Sequence, residues 1–191
     1  MAFQNQTRGS SNQSRRPLTL ELAKALAPRP EQAEKIAISF GLDAVDYEGI
    51  RDETARAVQV MADGFGGSLN KTATGMHFQR LVQALVGSSV GAGEFYSQKV
   101  SEARDLTSRL ANDDRDEDRS GPAGFESKAE RARHFAAQMA LQAFAQLAAA
   151  DGAIAAYREI TGDEWQPYVA PADSTSSVAR RSATEEMAAF G

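Results

Sequence analysis

The sequence predicts an all-α protein: an N-terminal three-helix, helix-turn-helix-like head, then a long antiparallel helical hairpin, with flexible tails. Three observations predict it. Alanine supplies much of the 42% apolar content while aromatics reach only 7%, a balance that favours helix over strand. Apolar residues recur every three to four positions through three long stretches, which is the helical period. No stretch alternates polar and apolar residues for long enough to make a strand, and there is no internal repeat.

Residues 1–16 are rich in Gln, Ser and Asn, carry Arg8, Arg15 and Arg16 and hold no acid, so they predict a flexible basic arm. L-T-L-E-L-A-K-A-L-A at 18–27 reads as a short helix stopped by Pro28. Pro30 suits the first turn of a second helix over 30–40, with Glu31 at its positive end and Gly41 closing it. Asp43 is the expected N-cap of a third helix running to about Asp63, with an apolar stripe of Tyr47, Ile50, Thr54, Ala57, Val58, Met61 and Phe65. A glycine-rich break at 64–75 leads into a long helix over about 76–112. Within it, G-S-S-V-G-A-G at 87–93 either kinks the helix or lets another backbone come very close, and Gly87 and Gly91 would suit a helix crossing.

After a charged turn at 112–124, a third long helix covers about 126–161, opened by a Ser127–Glu130 capping box and closed by Gly162. At 1.5 Å per residue it spans on the order of 50 Å. Trp165 is expected to cover the end of the core. The last stretch, 169–191, reads as a flexible tail with a short helix in S-A-T-E-E-M-A-A-F, whose sticky face is Met187 and Phe190. The expected domains are therefore the arm 1–16, the head 17–66, the hairpin 67–168 and the tail 169–191.

Composition narrows the function. A net charge of −5 argues against a generally basic nucleic-acid coat, though not against a local basic site. Without cysteine there is no disulfide, thiolate nucleophile or zinc finger, which fits a reducing cytoplasm. The start lacks the apolar core of a secretory signal, and no run approaches 18 apolar residues, so no membrane span or membrane partner is expected.

Two loops come near to known chemistry. G-F-G-G-S-L-N-K-T at 64–72 resembles a phosphate-binding loop, but Asn70 replaces the glycine before Lys71 and the preceding residues fit a helix rather than a strand. D-E-D-R-S-G-P-A-G-F-E-S at 116–127 resembles a calcium loop, with Asp116, Asp118, Ser120 and Gly121 in place, but Ser127 stands where a bidentate glutamate is needed. The only histidines, His77 and His134, each lie near the start of a long helix and could meet across an antiparallel pair, with no nucleophile or ligand set beside them. No catalytic residue, metal ligand or cofactor is expected.

The stretch I-A-I-S-F-G-L-D-A-V-D-Y-E-G-I at 36–50 has helix-turn-helix spacing: Ala37 four before Gly41, then Leu42, then Tyr47 and Ile50 three apart. In a DNA reader the first residues of the second helix meet base edges. Here those residues are Asp43, Ala44, Asp46, Glu48 and Gly49, and three acids would face a polyanion. Across 17–68 five cations stand against nine acids, a net of −4. The candidate DNA contacts are therefore Arg8, Arg15 and Arg16 of the arm with Lys24, Arg29, Lys35, Arg51 and Arg56 of the head. A three-arginine arm alone gives a salt slope of about −2.7.

The layout resembles the small terminase subunits and related helix-turn-helix packaging proteins of tailed phages and prophages. The resemblance is carried by E-K-I-A-I-S-F-G-L-D-A-V-D-Y-E-G-I-R-D at 34–52, by the polar link S-L-N-K-T at 68–72, and by a helical hairpin with the acidic turn D-D-R-D-E-D, over about 30–165. It implies a non-enzymatic homo-oligomer, in some cases a ring, in the cytoplasm of a bacterial host cell. It also implies binding of double-stranded viral DNA and contact with a large terminase through the C-terminal tail, and the acid-rich 17–68 block makes the expected DNA binding weak and salt-sensitive. The acidic reading helix and the 87–93 glycines depart from the family pattern.

Stripes on helices this long exceed what a two-helix hairpin buries by itself. An oligomer is therefore expected, with Phe78, Leu81, Leu85, Phe135, Met139, Phe144 and Leu147 in or beside a shared core. The alternative is a helical interaction protein of a mobile element that binds no DNA.

Overall fold

The computed structural model describes residues 18–65, 71–112 and 122–167, and among these every regular element is a helix. They are α1 Leu20–Leu26, α2 Pro30–Phe40, α3 Tyr47–Phe65, α4 Lys71–Asn112 and α5 Pro122–Thr161. The all-α class stands as expected. The 1–16 arm and the 169–191 tail lie outside the described residues.

The caps explain most boundaries. Thr19 opens α1, its hydroxyl accepting from the Leu22 N–H at 3.1 Å. Pro30 opens α2, and the Gln32 side chain accepts from the Arg29 N–H at 3.0 Å. Gly41 ends α2 at φ 62°, a left-handed conformation that glycine adopts without a Cβ penalty. The Leu42 N–H then reaches back to the Ala37 carbonyl at 2.9 Å, which fixes the turn. The expected N-cap of α3, Asp43, is corrected to Asp46: its carboxylate accepts from the Gly49 N–H at 2.9 Å, and α3 starts three residues later than expected. Both long helices begin earlier than expected. Ser127 lies inside α5 and does not cap it, because Pro122 is tolerated in a first turn and the helix starts there. Gly162, at φ 78°, ends α5 as expected.

α5 is the element on which the others pack: it touches each of the other four. It runs antiparallel to α4, as the Ser88 hydroxyl to Gln146 bond at 2.9 Å and the Phe95–Phe135 ring pair show. It runs parallel to α3: Tyr47 meets Phe144 and Asp151, and Gln59 further along meets Glu159. It runs antiparallel to α2: Phe40 at the end of α2 meets His134, while the earlier Ala33 and Ala37 share a cluster with Leu141 and Phe144 further along α5. A helix contacted on several sides must be apolar around most of its circumference. Ala136, Ala140, Ala143, Ala150, Ala153 and Ala156 are all buried, and their short side chains let neighbouring axes come close. From Lys128 to Thr161 the helix is long and apolar enough, by length and composition, to cross a membrane, which the sequence reading did not anticipate; here it is the core helix.

The bulk of the core is elsewhere. Phe78, Val82 and Val86 of α4 and Val58 of α3 fill the space beside the α5 alanines, and Trp165 caps that cluster at its end. The α3 stripe is rotated from the expected one. Ala55 and Ala62 face this cluster, while Ala57 and Met61 are exposed. The reason is steric: α3 lies so close to α5 that small residues are needed between them. A Cβ on Gly152 would run into the carbonyl of Arg51, with the Arg51 carbonyl carbon at 3.0 Å and Thr54 Cβ at 3.1 Å.

The glycines at 87–93 do not kink α4. Its helix is continuous through them, and the close-backbone alternative holds. The tight contact is at Gly93, where a Cβ would sit 3.2 Å from the Leu26 carbonyl carbon of α1, while nothing lies within 4 Å of Gly91. Beside them, the Ser89 hydroxyl is fully buried without a hydrogen-bond partner among the described residues. Such an orphan costs about 1–3 kcal/mol. Ser89→Ala is therefore expected to stabilise the fold by about 1 kcal/mol, read as a higher urea midpoint at unchanged slope.

Candidate interaction surface

The head joins the body through a polar contact in otherwise apolar packing. The Tyr47 hydroxyl donates to Asp151 Oδ2 at 2.5 Å, and Lys24 Nζ lies 3.7 Å from the other oxygen of the same carboxylate. Helices α1, α3 and α5 thus converge on one acid. Burial first, and then the bond to Asp151 and its charge, push the Tyr47 phenol well above its ordinary value. A raised folded-state pKa contributes stability that is complete below the unfolded phenol value of about 10 and is lost as pH rises beyond it. Tyr47→Phe is expected to flatten the loss of stability above about pH 10, as followed by alkaline unfolding monitored by circular dichroism.

The outward side of the α2–α3 turn and of the start of α3 is acidic. Asp43, Asp46, Glu48, Asp52 and Glu53 are all exposed. Arg51 is held between Glu48 at 2.5 Å and Asp52 at 2.8 Å, and its hydrogen bond to Asp52 is the main reason its guanidinium is pushed further up. Lys24 is the Asp151 partner. Arg29, Lys35 and Arg56 are exposed on three different segments. Arg8, Arg15 and Arg16 lie outside the described residues.

The seven residues expected at a shared oligomeric core are placed mostly inside one chain. Phe78 is buried, and Leu81 and Leu85 pack on the same cluster. Phe144 is covered by α2 and Leu147 by α1, and Met139 is half-buried. The head helices supply the cover that the hairpin alone lacks. Phe135 differs: it is 41% exposed, in an edge-to-face pair with Phe95, itself 40% exposed, at 6.2 Å. Lys99 Nζ stands 5.0 Å from the Phe95 ring centre and 5.9 Å from that of Phe135, a cation over two ring faces.

Beside this pair, at the end of the bundle away from Trp165, two open grooves flank Phe40. One, of about 750 Å³, is lined by polar and charged groups including Ser39, Glu130, His134 and Gln138. The other, of about 470 Å³, is apolar: Ile36 and Phe40 of α2 face Tyr96, Val100 and Ala103 of α4 across Ala136 of α5. Arg104 and Arg133 stand on its edge. Neither is ion-paired among the described residues, and Arg133 Nε donates only to the Ala129 carbonyl, at 3.4 Å. The sequence reading missed this groove. Its signal was present in the spacing Tyr96, Val100, Ala103, Thr107, but a groove needs a second wall, and α2 supplies that wall only once folded.

The remaining candidates separate. His77 and His134 lie at opposite ends of the antiparallel pair, so the expected meeting does not occur; the His134 ring sits edge-on to Phe40 at 6.2 Å. The phosphate-loop resemblance follows helix α3 rather than a strand, and residues 66–70 of it lie outside the described residues. Of the calcium-loop resemblance, 116–121 lie outside the described residues, and Glu126 and Ser127 stand on α5. Among the described residues no three acids or histidines are grouped so as to hold a metal. Met187 and Phe190 lie outside the described residues. Compared with protein-family models, with curated proteins and with solved structures, the chain shows no match.

Proposed function

We propose that the chain is a non-enzymatic helical adaptor that works by protein contact. In its specific form it is a small terminase-like subunit that self-associates, holds double-stranded DNA weakly through the 1–16 arm and engages a larger packaging enzyme. One observation carries the protein-contact part. The core of a single chain is closed by its own five helices, yet the end of the bundle near Phe40 leaves an apolar groove and the Phe95–Phe135 pair uncovered. An apolar surface rimmed by cations is what a partner covers. The DNA part rests on the arm and on the sequence resemblance.

A second reading, an interaction protein with no nucleic acid, is favoured by the acidic outer side of α3 and by the neutralised Arg51. Light scattering and a gel shift across salt separate the two. The proposal expects a mass above one chain, reduced by Phe135→Glu. It expects DNA retention at low salt that disappears when residues 1–16 are deleted. Self-association without any DNA retention selects the second reading. A strict monomer that retains no DNA overturns the proposed function.

A further inference from the structure

We propose that the groove between α2, α4 and α5 is the docking site of the same chain's own 182–190 segment, S-A-T-E-E-M-A-A-F, which lies outside the described residues. The groove asks for two things at once: large apolar side chains against Phe40, Val100 and Ala136, and negative charge for Arg104 and Arg133 at its edge. Only one stretch outside the described residues offers both. Residues 1–17 hold no acid, 66–70 hold no charge, and 113–121 are charged with no apolar residue. Residues 168–181 carry one acid, Asp173, and end in the pair Arg180–Arg181. In 182–190, Glu185 and Glu186 are followed by Met187 and Phe190 with no cation between them. As a helical turn, Met187 and Phe190 would fall on one side, three apart, with Glu186 beside Phe190, four apart.

The reach is sufficient. The Gln79 side chain donates to the Gln166 carbonyl, so the chain leaves the described residues beside the first turns of α4. The groove starts 17 residues further along α4, at Tyr96, roughly 26 Å away at the helical rise. The 15 residue steps from Pro167 to Ser182 span up to about 50 Å when extended. Tethering also removes the need for high affinity. At an effective concentration of about 1 mM, a segment with an intrinsic Kd of about 100 μM is docked roughly nine times in ten.

Docking covers Met187 and Phe190, the residues that the adaptor reading assigns to a protein partner, so the partner must displace the segment from its own groove. The contact itself rests on the groove and the segment, not on the DNA or packaging assignment. Failure of the test below leaves the adaptor reading in place.

The chain has no cysteine, which makes crosslinking clean. In the full-length protein, Ser108→Cys at the groove edge is combined with Ala188→Cys, and the rate of intramolecular disulfide formation is followed at low protein concentration. Arg56→Cys with Ala188→Cys is the control, Arg56 being exposed on α3. The groove pair is expected to close about tenfold faster than the control. Reversing Glu185 and Glu186 to lysine is expected to slow it about tenfold, and adding Arg104→Glu and Arg133→Glu to restore it. Equal rates for the two pairs, indifference to charge reversal, or crosslinks only between chains would each overturn the proposal.

Discussion

Gly152→Ala is expected to destabilise the protein by about 1–3 kcal/mol, although alanine in a helix interior ordinarily gains about 1 kcal/mol over glycine. The added methyl meets the carbonyl of Arg51 on α3, and backbone cannot swing aside as the end of a flexible side chain can. Either α3 lifts from α5 or α5 bends. Lifting α3 pulls Val58 out of its cluster and lengthens the Tyr47–Asp151 bond, so the loss spreads beyond the contact. Urea denaturation measures it. A gain in stability would mean that α3 does not lie where described.

Phe78→Ala is the second large effect, with an expected loss of about 3–5 kcal/mol. Among the described residues Phe78 is the largest fully buried side chain, and it shares one cluster with Val82, Tyr157 and Trp165. Removing the ring leaves a cavity walled by α4, α5 and the Trp165 cap, and the cost grows with the part of that space the neighbours cannot refill. This is a sizeable share of the roughly 5–15 kcal/mol that holds a domain together. The variant also separates two roles for the residue. As a core residue it lowers the unfolding midpoint at any protein concentration; as an interface residue it would lower the mass by light scattering and make the midpoint concentration-dependent.

The helices were legible because period, glycine and proline are local signals. Gly41 and Gly162 end α2 and α5 where the sequence places them, and 30–40 is recovered whole. The cap of α3 was not, because Asp43 and Asp46 are equal candidates on local chemistry and only the docking of Tyr47 against Asp151 fixes which is used. The stripe on α3 follows from three-to-four spacing, which takes in Ala57 and Met61, whereas the folded helix turns Ala55 and Ala62 toward the cluster beside Val58 and leaves Ala57 and Met61 exposed. Asp151–Gly152 inside an alanine-rich helix was the available sign: one acid and one glycine where nothing local calls for either.

The candidate site was less legible for the same reason. The acidity around the start of α3 is plain from Asp43, Asp46 and Glu48, and it is the strongest argument against base readout there. The oligomer was inferred from two stripes too long to bury each other, but the head was treated as a separate unit. Its helices lie along the hairpin and cover Phe144 and Leu147, while the Phe95–Phe135 pair and the groove beside Phe40 stay open. Which helix covers which is a long-range fact, and spacing along one helix does not encode it.

Helices α1, α2 and α3 pack as part of one shared core with α4 and α5 rather than as a separable head. Amide hydrogen exchange on the full chain, read by mass spectrometry, tests this most directly. The expected result is that α3 from Arg51 to Val58 opens together with the middle of α5, at the free energy of global unfolding. Fast exchange throughout α3 while α4 and α5 stay protected would contradict it.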